Sequence, residues 1–274
     1  WSGEFISAVG SGLTSFGLGV YVFEQTGQAS AMALVTLLAF LPGLLLSVPA
    51  GVLADRYDRR LLMLLGDGLS AVGLIFILIC VLRGGAQVWQ ICVGVTISSL
   101  FSALMDPAYK ATVTDLLTPE QYTKASGLIG ITGSAKYLVS PILAGFLLTL
   151  SDISLLLVID ICTFFLTVFT TLAVRGMLLA GGAAASVRKN REEAFFRELK
   201  TGWRAVSQRS GVLLLVLLSS VITFFLGFLQ TLFTPMVLAF SDSATLGTAE
   251  TICALGMLVS SIIIGMVSLR KGYV

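Results

Sequence analysis

The sequence predicts an all-α membrane protein, and three observations lead to that class. Of the 274 residues, 56% are hydrophobic and only 12% are charged, whereas soluble domains carry about 25% charged residues. Eight apolar runs are long enough to cross about 30 Å of hydrocarbon. None of these runs alternates apolar and polar residues as a half-buried strand would, so helices are expected to satisfy the backbone in lipid.

The eight apolar runs give the order of the expected helices. Their limits are 5–25, 31–53, 61–82, 88–108, 125–150, 153–174, 210–238 and 245–268. Connectors as short as residues 83–87 and 150–152 make the neighbouring helices antiparallel. The chain is therefore expected to pass back and forth through the bilayer.

The basic residues predict the orientation of these helices. Of the 17 Lys and Arg residues, all but Arg83 and Lys136 fall on the side of the 54–60 loop or in the segment 176–208. Because cytoplasmic loops carry an excess of Lys and Arg, this side is expected to face the cytoplasm. The sequence thus predicts a multi-pass protein of a bacterial cell membrane, with both ends of the chain inside.

The segment 176–208 differs from the rest of the chain. It begins with small residues and then becomes basic, with apolar residues at helical spacing: Phe196, Leu199, Trp203 and Val206. This pattern is typical of an amphipathic helix at a membrane surface. We interpret the segment as a cytoplasmic linker between residues 1–175 and 209–274, and a nucleic-acid partner is not expected.

An internal repeat relates the two ends of the chain. A shift of 214 residues aligns the first two apolar runs with the last two, and places Gly51 on Gly265 and Arg56 on Arg270. Parallel repeats of six helices are a transporter architecture. The repeat predicts that this chain is truncated and that about four further helices would complete the second half.

The composition excludes several kinds of chemistry. The absence of histidine excludes a histidine metal site, a Ser-His-Asp triad and an imidazole proton relay. No G-x-x-x-x-G-K-[ST] phosphate loop occurs, which disfavours ATP-driven pumping. The four cysteines lie in apolar runs without a C-x-x-C spacing, as expected of buried thiols. We therefore expect no enzyme, no cofactor and no metal site.

Charged residues within the apolar runs are candidates for coupling, because ionisable groups in hydrocarbon are costly and usually functional. They are Asp67, Asp106, Lys110, Lys136 and Asp160. Asp106 and Lys110 have the favourable i, i+4 order of an ion pair. Asp160 has no charged or polar partner apparent within its own helix, which favours it as the proton carrier.

Three further charged residues of these runs have open or peripheral roles. Lys136 is open to three interpretations, namely a counter-ion of Asp160, a charge for an anionic cargo, or a tie to the fourth helix. Glu4 and Glu24, near the ends of the first run, are expected to reach water.

The stretch GVLADRYDRRLLM resembles the loop signature G-x-x-x-D-R-x-x-R-R of the major facilitator superfamily. The matching residues are Gly51, Asp55, Arg56, Arg59 and Arg60. Asp58 stands where glycine is usual, as in the branch that contains enterobactin-type siderophore exporters and macrolide-efflux transporters. The resemblance implies the major facilitator fold: a first six-helix bundle, a cytoplasmic linker and the first two helices of a second bundle.

The resemblance also implies a role for the loop. Asp55 would bridge to a helix of the neighbouring bundle and latch the outward-facing state, and Arg59 could pair with it. The alternative is that the basic residues only anchor the loop inside the cell.

The fifth run resembles a relaxed antiporter motif, G-x-x-x-G-P-x-x-G-G. The corresponding residues are Gly130, Ser134, Ser140, Pro141 and Gly145. Ser140 replaces the glycine before the proline. We expect Gly130, Ser134, Pro141 and Gly145 to share one helical face and Pro141 to bend the helix. Ordinary small-residue packing is the alternative.

The predicted function is secondary active export of an amphipathic organic molecule, such as a drug, macrolide or siderophore. Proton antiport would drive it by alternating access, with Phe16, Phe101 and Tyr137 as candidate cavity residues. A lipid or lysophospholipid transporter is one alternative, and a non-transporting membrane scaffold in this truncated form is another. The complete protein is expected to be a monomer.

Overall fold

The computed structural model describes residues 2–116, 136–180 and 210–271, together with 125, 129, 132–134 and 208. Apart from short turns, the described part is helical, which confirms the all-α class. Its helices are α1 (Ser2–Thr26), α2 (Ala29–Arg56), α3 (Arg59–Leu82), α4 (Val88–Leu116), α5 (Ser140–Leu150), α6 (Ile153–Ala180), α7 (Ser210–Leu238) and α8 (Ser243–Lys271).

Most of these helices are long and apolar enough to cross a membrane. Six qualify by length and composition within the described residues: Gly3–Thr26, Ala29–Ser47, Leu61–Leu82, Val88–Val113, Ile153–Leu172 and Ser210–Leu238. The pair 132–138 and α5 makes a seventh if it counts as one bent span. The eighth expected crossing, in α8, stays a prediction.

The fifth run is bent, as expected from Pro141, and the bend lies just before that residue. Residues 132–138 and α5 meet at an angle of 41°. Pro141 lies in the first turn of α5, where the missing N–H is not needed for a helical hydrogen bond. The proline thus starts a new helix after the bend.

The sixth helix is longer than predicted. It continues to Ala180, whereas the sequence predicts that the first bundle ends at residue 175. Its last residues, GMLLA, include good helix formers and contain no proline, so the helix does not stop there. The amphipathic helix predicted around residues 196–206 lies outside the described residues.

Two ends of the bundle can be distinguished by the connections that they carry. The turn end carries residues 27–28, 83–87, 151–152 and 239–242, and the loop end carries residues 57–58 between α2 and α3. At the turn end Gly27 has a φ of 63°, which lets the chain leave α1 in the left-handed conformation that glycine favours. These short turns make successive helices antiparallel, as expected.

Aspartates stand immediately before two helices. The Asp58 carbonyl accepts the Leu62 N–H at 3.1 Å, which places Asp58 at the N-cap position of α3, where Asp is a favoured residue. At the turn end Asp242 caps α8, because its Oδ1 accepts the Thr245 hydroxyl at 2.6 Å and the Thr245 N–H at 2.9 Å. These hydrogen bonds from the Thr245 side chain and backbone lower the pKa of Asp242 below its ordinary value.

The apolar core lies toward the turn end of the bundle. It joins α1, α3, α4 and α6 through fully buried side chains that include Val22, Ile77, Ile91, Leu156 and Leu157. A smaller cluster, formed by Ala54, Leu62, Met63 and Ala108, closes the loop end. Large apolar residues are exposed elsewhere, among them Phe40 at 64%, Phe169 at 70% and Phe224 at 69%. Such a surface suits lipid as the solvent.

Small polar residues bring α3 and α4 together. The Ser70 hydroxyl donates to the Gly66 carbonyl at 2.6 Å and lies 3.0 Å from the Ser98 carbonyl and 2.9 Å from the Ser102 hydroxyl. Gly73 lies against Gly94, and a Cβ at position 73 would collide with the Gly94 carbonyl oxygen. This close approach is typical of helix packing in membranes.

The helix limits agree with the internal repeat. The shift of 214 residues carries α2, Ala29–Arg56, onto residues 243–270, and α8 spans Ser243–Lys271. It carries α1 onto residues 216–240, which overlap α7 over most of its length. The helix limits of α7 and α8 are therefore consistent with a second copy of the first pair.

Candidate functional site

The candidate site is centred on Asp160, which lies in α6 and is only 1% exposed. The Ser11 hydroxyl of α1 lies 3.3 Å from Asp160 Oδ1, and the Thr163 hydroxyl of α6 lies 3.4 Å from the same oxygen. The expectation that Asp160 has no partner in its own helix is therefore wrong. Residues three apart share a helical face, and at this spacing the threonine reaches the carboxyl group.

A third hydroxyl belongs to the same pocket. Thr14 follows Ser11 by three residues on α1, is 5% exposed, and lies close enough to interact with the Asp160 carboxyl. Its Oγ1 atom is buried and makes no hydrogen bond of good geometry in the described structure. We call Asp160, Ser11, Thr14 and Thr163 the Asp160 pocket.

Glycines of α1 allow this pocket to form. Gly3, Gly10 and Gly17 recur every seven residues and face Thr170, the Asp160 pocket, and Ile153 with Leu156, respectively. A Cβ at position 10 would lie 2.9 Å from Asp160 Oδ1 and 2.6 Å from Thr163 Oγ1. The glycines thus let α1 and α6 approach along their whole contact.

The bent fifth helix closes the pocket from a third side. The Ser140 hydroxyl, fully buried, donates to the Val9 carbonyl at 3.0 Å. A Cβ on Gly12 would collide with Ser140 and come 3.0 Å from the Lys136 carbonyl. Lys136 lies close enough for its charge to act on Asp160. Among the three interpretations of Lys136, this position favours the counter-ion.

A line of threonines follows α6 from Asp160 toward the loop end. The hydroxyls of Thr163, Thr167 and Thr170 donate to the carbonyls of Asp160, Thr163 and Thr167 at 2.7, 2.9 and 2.9 Å. Their i, i+4, i+7 spacing, like the seven-residue spacing of the α1 glycines, is visible in the sequence. Either pattern could have located the contact between α1 and α6, and the sequence analysis missed both.

A second group of acids lies near the loop end. Asp67 of α3 is 2% exposed, and Glu4 of α1 lies within electrostatic range of both Asp67 and Asp106. Glu4 is half-buried and reaches water less fully than expected, because its Oε1 is buried and without a hydrogen-bond partner in the described structure. The first turn of α1 packs closely on α6, since a Cβ on Gly3 would lie 2.9 Å from the Thr170 hydroxyl oxygen. Asp106 and Lys110 are both exposed on α4, and Glu24 is exposed as expected.

One intramembrane acid was overlooked by the sequence analysis. Glu250 lies in α8 and accepts a hydrogen bond from the Thr234 hydroxyl of α7 at 3.2 Å. The signal was present, because Glu250 lies inside the apolar run 245–268 and charged residues at such positions are rare. This pair links the first two helices of the second half.

Among the residues of the loop signature, Arg59 has side-chain hydrogen bonds that the structure describes. Its Nε donates to the Ala54 carbonyl at the end of α2, and its Nη1 donates to the Ala111 carbonyl of α4, both at 2.9 Å. Arg59 therefore ties the last turn of α2 to α4. Gly51 lies in α2 with open space around its Cα. The side chains of Asp55, Arg56 and Arg60 lie outside the described part, so the pairing of Asp55 with Arg59 stays a prediction.

The antiporter-type residues divide between two environments. Ser140, Pro141 and Gly145 are buried, whereas Ser134 is exposed and Gly130 lies outside the described residues. The prediction that Ser134 shares a helical face with Pro141 and Gly145 is wrong. The 41° bend separates Ser134 from the other two residues.

The buried part of the motif contacts the second half of the chain. A Cβ on Gly145 would lie 2.6 Å from the Ser243 carbonyl oxygen, and one on Gly247 would collide with the Pro141 carbonyl. At the bend, the Thr251 hydroxyl donates to the Leu138 carbonyl at 3.1 Å. We call this contact between α5 and α8 the α5–α8 seam.

The three aromatic candidates for the cavity differ in their surroundings. Phe16 packs against the apolar core of the bundle. Phe101 is half-buried, and Tyr137, beside Lys136, is 56% exposed. A role in binding cargo thus stays a prediction, and Tyr137 is the most accessible of the three.

Comparison with known proteins agrees with this architecture. The peptide transporter POT in complex with sulfate superposes with a TM-score of 0.54 over 99% of this chain and 52% of its own, at 16% identity. Another POT structure gives a TM-score of 0.56 at 19% identity, over 85% of this chain and 47% of its own. At these identities the similarity shows the fold alone.

Sequence relatives are membrane transporters. Macrolide efflux protein A of Streptococcus pyogenes is 28% identical over 269 residues, which are 97% of this chain and 65% of the relative. The protein of the same name from Enterococcus faecalis is 30% identical over 87% of this chain and 73% of its own length. The staphyloferrin A transporter of Staphylococcus aureus is 29% identical over 54% of this chain and 38% of its own length.

The family follows from a match along the whole chain. The sequence profile of the Major Facilitator Superfamily matches residues 1–273. The same family match confirms that the chain belongs to a transporter and not to an enzyme. The chain, with its candidate membrane spans and its loop signature, belongs to the Major Facilitator Superfamily.

Proposed function

We propose that the complete protein exports an amphipathic small organic molecule, of the drug, macrolide or siderophore class, by proton antiport. Two kinds of relatives support this cargo class, since they are named for macrolide efflux and for staphyloferrin transport. The chain spans 65% of the length of the Streptococcus pyogenes relative, and the proposal therefore concerns the complete protein.

The observation that carries the proposal is the burial of Asp160 between α1 and α6. A carboxylate in hydrocarbon is costly as an anion and is retained for function. The hydroxyls of Ser11 and Thr163 can donate to the ionised carboxylate, and they can accept from the protonated carboxyl, because a hydroxyl group does both. The same pocket therefore suits both protonation states, which a proton carrier passes through in each cycle.

Alternating access supplies the second part of the mechanism. The two halves rock about their contacts, and the α5–α8 seam is the most extensive of the described contacts between them, which also include those of α7 with α1 and α2. Because glycines bring the two backbones together there, the seam can separate and re-form without displacing side chains. Pro141 and Gly145 would thus act in the closing of one side of the transporter.

The orientation and the loop form the third part of the proposal. The 54–60 loop and both ends of the chain face the cytoplasm, as the basic residues indicate. Asp55 latches the outward-facing state by bridging to the other bundle, while Arg59 holds the loop end of α2 against α4. The transporter acts as a monomer in the cell membrane.

Efflux from proteoliposomes tests the proposal. The complete protein is reconstituted, and release of a labelled macrolide, a labelled siderophore and a labelled lysophospholipid is followed with and without an imposed pH gradient. We expect gradient-dependent movement of a macrolide or siderophore that a protonophore abolishes. Movement of lysophospholipid alone would favour a lipid transporter, and movement of none of them under any gradient would favour a scaffold.

A further inference from the structure

We propose that the Asp160 pocket also binds Na⁺, in competition with the proton. This inference rests on the proposed function, in which Asp160 carries a proton, and adds a second ion to the same pocket. It is carried by the kind, the spacing and the hydrogen bonding of the oxygen atoms around Asp160.

The pocket offers the ligands that a hard cation prefers. Asp160 supplies a carboxylate oxygen, and Ser11, Thr14 and Thr163 supply hydroxyl oxygens. Hard cations take oxygen ligands, in contrast to the nitrogen and sulfur ligands that transition metals prefer. The pocket has one carboxylate, and a single negative charge balances a monovalent ion.

The spacing of the oxygens suits an ion. Hydrogen bonds from a hydroxyl to an ionised carboxylate are normally about 2.5–2.7 Å long, but Ser11 and Thr163 lie 3.3 and 3.4 Å from Asp160 Oδ1. Neighbouring ligands at right angles around a hard cation, with bonds of about 2.4 Å, stand about 3.4 Å apart. The two measured separations therefore match ligands that share an ion.

The hydroxyl of Thr14 is the independent observation that points to a ligand. Its Oγ1 is buried and without a hydrogen-bond partner in the described structure, and the residue is only 5% exposed. Buried polar atoms in proteins nearly always have a partner. An ion coordinated by Asp160 and Ser11 would satisfy this oxygen as well, because Thr14 lies one turn from Ser11 on the same helix.

Charged groups around the pocket influence how Na⁺ and the proton compete for Asp160. From the bent fifth helix, Lys136 acts on Asp160 with a positive charge, which opposes cation binding. Asp67 of α3 and Glu4 of α1 form the separate group near the loop end. Removing the charge of Lys136 should therefore strengthen the binding of Na⁺, whereas protonation of Asp160 should prevent it.

Sodium binding to the purified complete protein tests the inference. Binding of radioactive ²²Na⁺ is measured at constant ionic strength, with K⁺ as the replacement ion, from pH 6 to pH 9. We expect saturable binding that unlabelled Na⁺ displaces and K⁺ does not. As the pH is lowered into the range where the proton competes for Asp160, the apparent affinity for Na⁺ should fall by about tenfold per pH unit.

Three variants make the test specific. Thr14→Val keeps the shape of the side chain and should weaken binding by about 10- to 100-fold, the range seen when the surroundings of a metal site are altered. Lys136→Gln should strengthen binding. Thr149→Val is the matched control, because the Thr149 hydroxyl is exposed and bonds within its own helix, and it should bind as the wild type does.

The outcomes separate this inference from the proposed function. Absence of ²²Na⁺ binding, binding that K⁺ displaces equally, or wild-type binding by Thr14→Val would overturn the sodium site. If proton-driven efflux continues in that case, the proposed function stands. If neither a proton gradient nor a sodium gradient drives any cargo, the proposed function fails by itself.

Discussion

Gly10 of α1 lies directly against Asp160 of α6, so that a Cβ at position 10 would stand 2.9 Å from the carboxyl oxygen Oδ1. The missing side chain lets the helix backbone approach the carboxyl group. Ser11, the next residue, can then place its hydroxyl 3.3 Å from the same atom. The polar pocket at the centre of the bundle thus depends on a glycine as much as on its acid.

The Gly10→Ala variant tests this dependence. The added methyl group would overlap Thr163 and Asp160, and overpacking of this kind costs about 1–3 kcal/mol. We expect a lower thermal midpoint in detergent and slower proton-driven efflux. Gly68→Ala is the matched control, because Gly68 has open space around it; equal stability of the two variants would contradict the packing of α1 on α6.

The contacts of Arg59 predict an effect on stability. Its guanidinium binds the carbonyls of Ala54 and Ala111, and hydrogen bonds that involve a charged group contribute about 1.5–3 kcal/mol. Arg59→Gln should therefore lower the thermal midpoint, and Arg59→Lys should restore only part of it because one ammonium cannot match the guanidinium fork. Arg83→Gln, at the exposed turn end, should leave the midpoint unchanged. If Arg59→Gln left the thermal midpoint unchanged, the loop would not depend on the hydrogen bonds of Arg59.

The latch proposed for Asp55 predicts a change in rate without a change in insertion. Asp55→Asn removes the charge and keeps the shape, so the protein should reach the membrane in wild-type amounts while its transport rate falls. The measurement is efflux together with labelling of single cysteines from each side of the membrane. Asp58→Asn is the control, since Asn caps a helix as well as Asp does. Transport at the wild-type rate by Asp55→Asn would exclude the latch.

The α5–α8 seam predicts that Gly145 does not tolerate a side chain. In Gly145→Ala the methyl group would meet the Ser243 carbonyl at 2.6 Å and hold the two helices apart. We expect slower efflux and a shift of cysteine labelling toward the state in which the seam is open. Gly133→Ala lies on the same bent segment in open space and should behave as the wild type does. If Gly145→Ala and Gly133→Ala showed the same efflux rate and the same cysteine labelling, the α5–α8 seam would have no part in the mechanism.

Much of the fold could be predicted because lipid imposes simple rules. Continuous apolar runs gave the helices, and the basic loop and the internal repeat gave the family. The bend of the fifth helix was predicted from Pro141, but its place just before the proline and the extension of α6 to Ala180 were not. The residues at which a helix begins and ends depend on its packing and on the geometry of the first turn around a proline. Hydropathy reports neither of these.

The site was predicted less completely, since charge is visible in a sequence and contact is not. Asp160 was singled out as an acid in an apolar run, but its hydroxyl partners on α1 follow from the way in which α1 packs on α6. Glu4 was expected in water because it lies near a helix end, but one of its carboxyl oxygens is buried, which depends on tertiary packing that a sequence does not report. Glu250 was missed although its charge, inside the apolar run 245–268, is visible in the sequence.

The most direct test of the account compares two kinds of transport by Asp160→Asn. Asparagine keeps the size of the side chain and cannot exchange a proton, so efflux driven by a pH gradient should be lost. Exchange of labelled for unlabelled cargo across the membrane, with no gradient, should continue because it needs alternating access without proton turnover. This split, lost gradient-driven efflux with retained exchange, is the predicted result. Gradient-driven efflux at the wild-type rate would contradict the account.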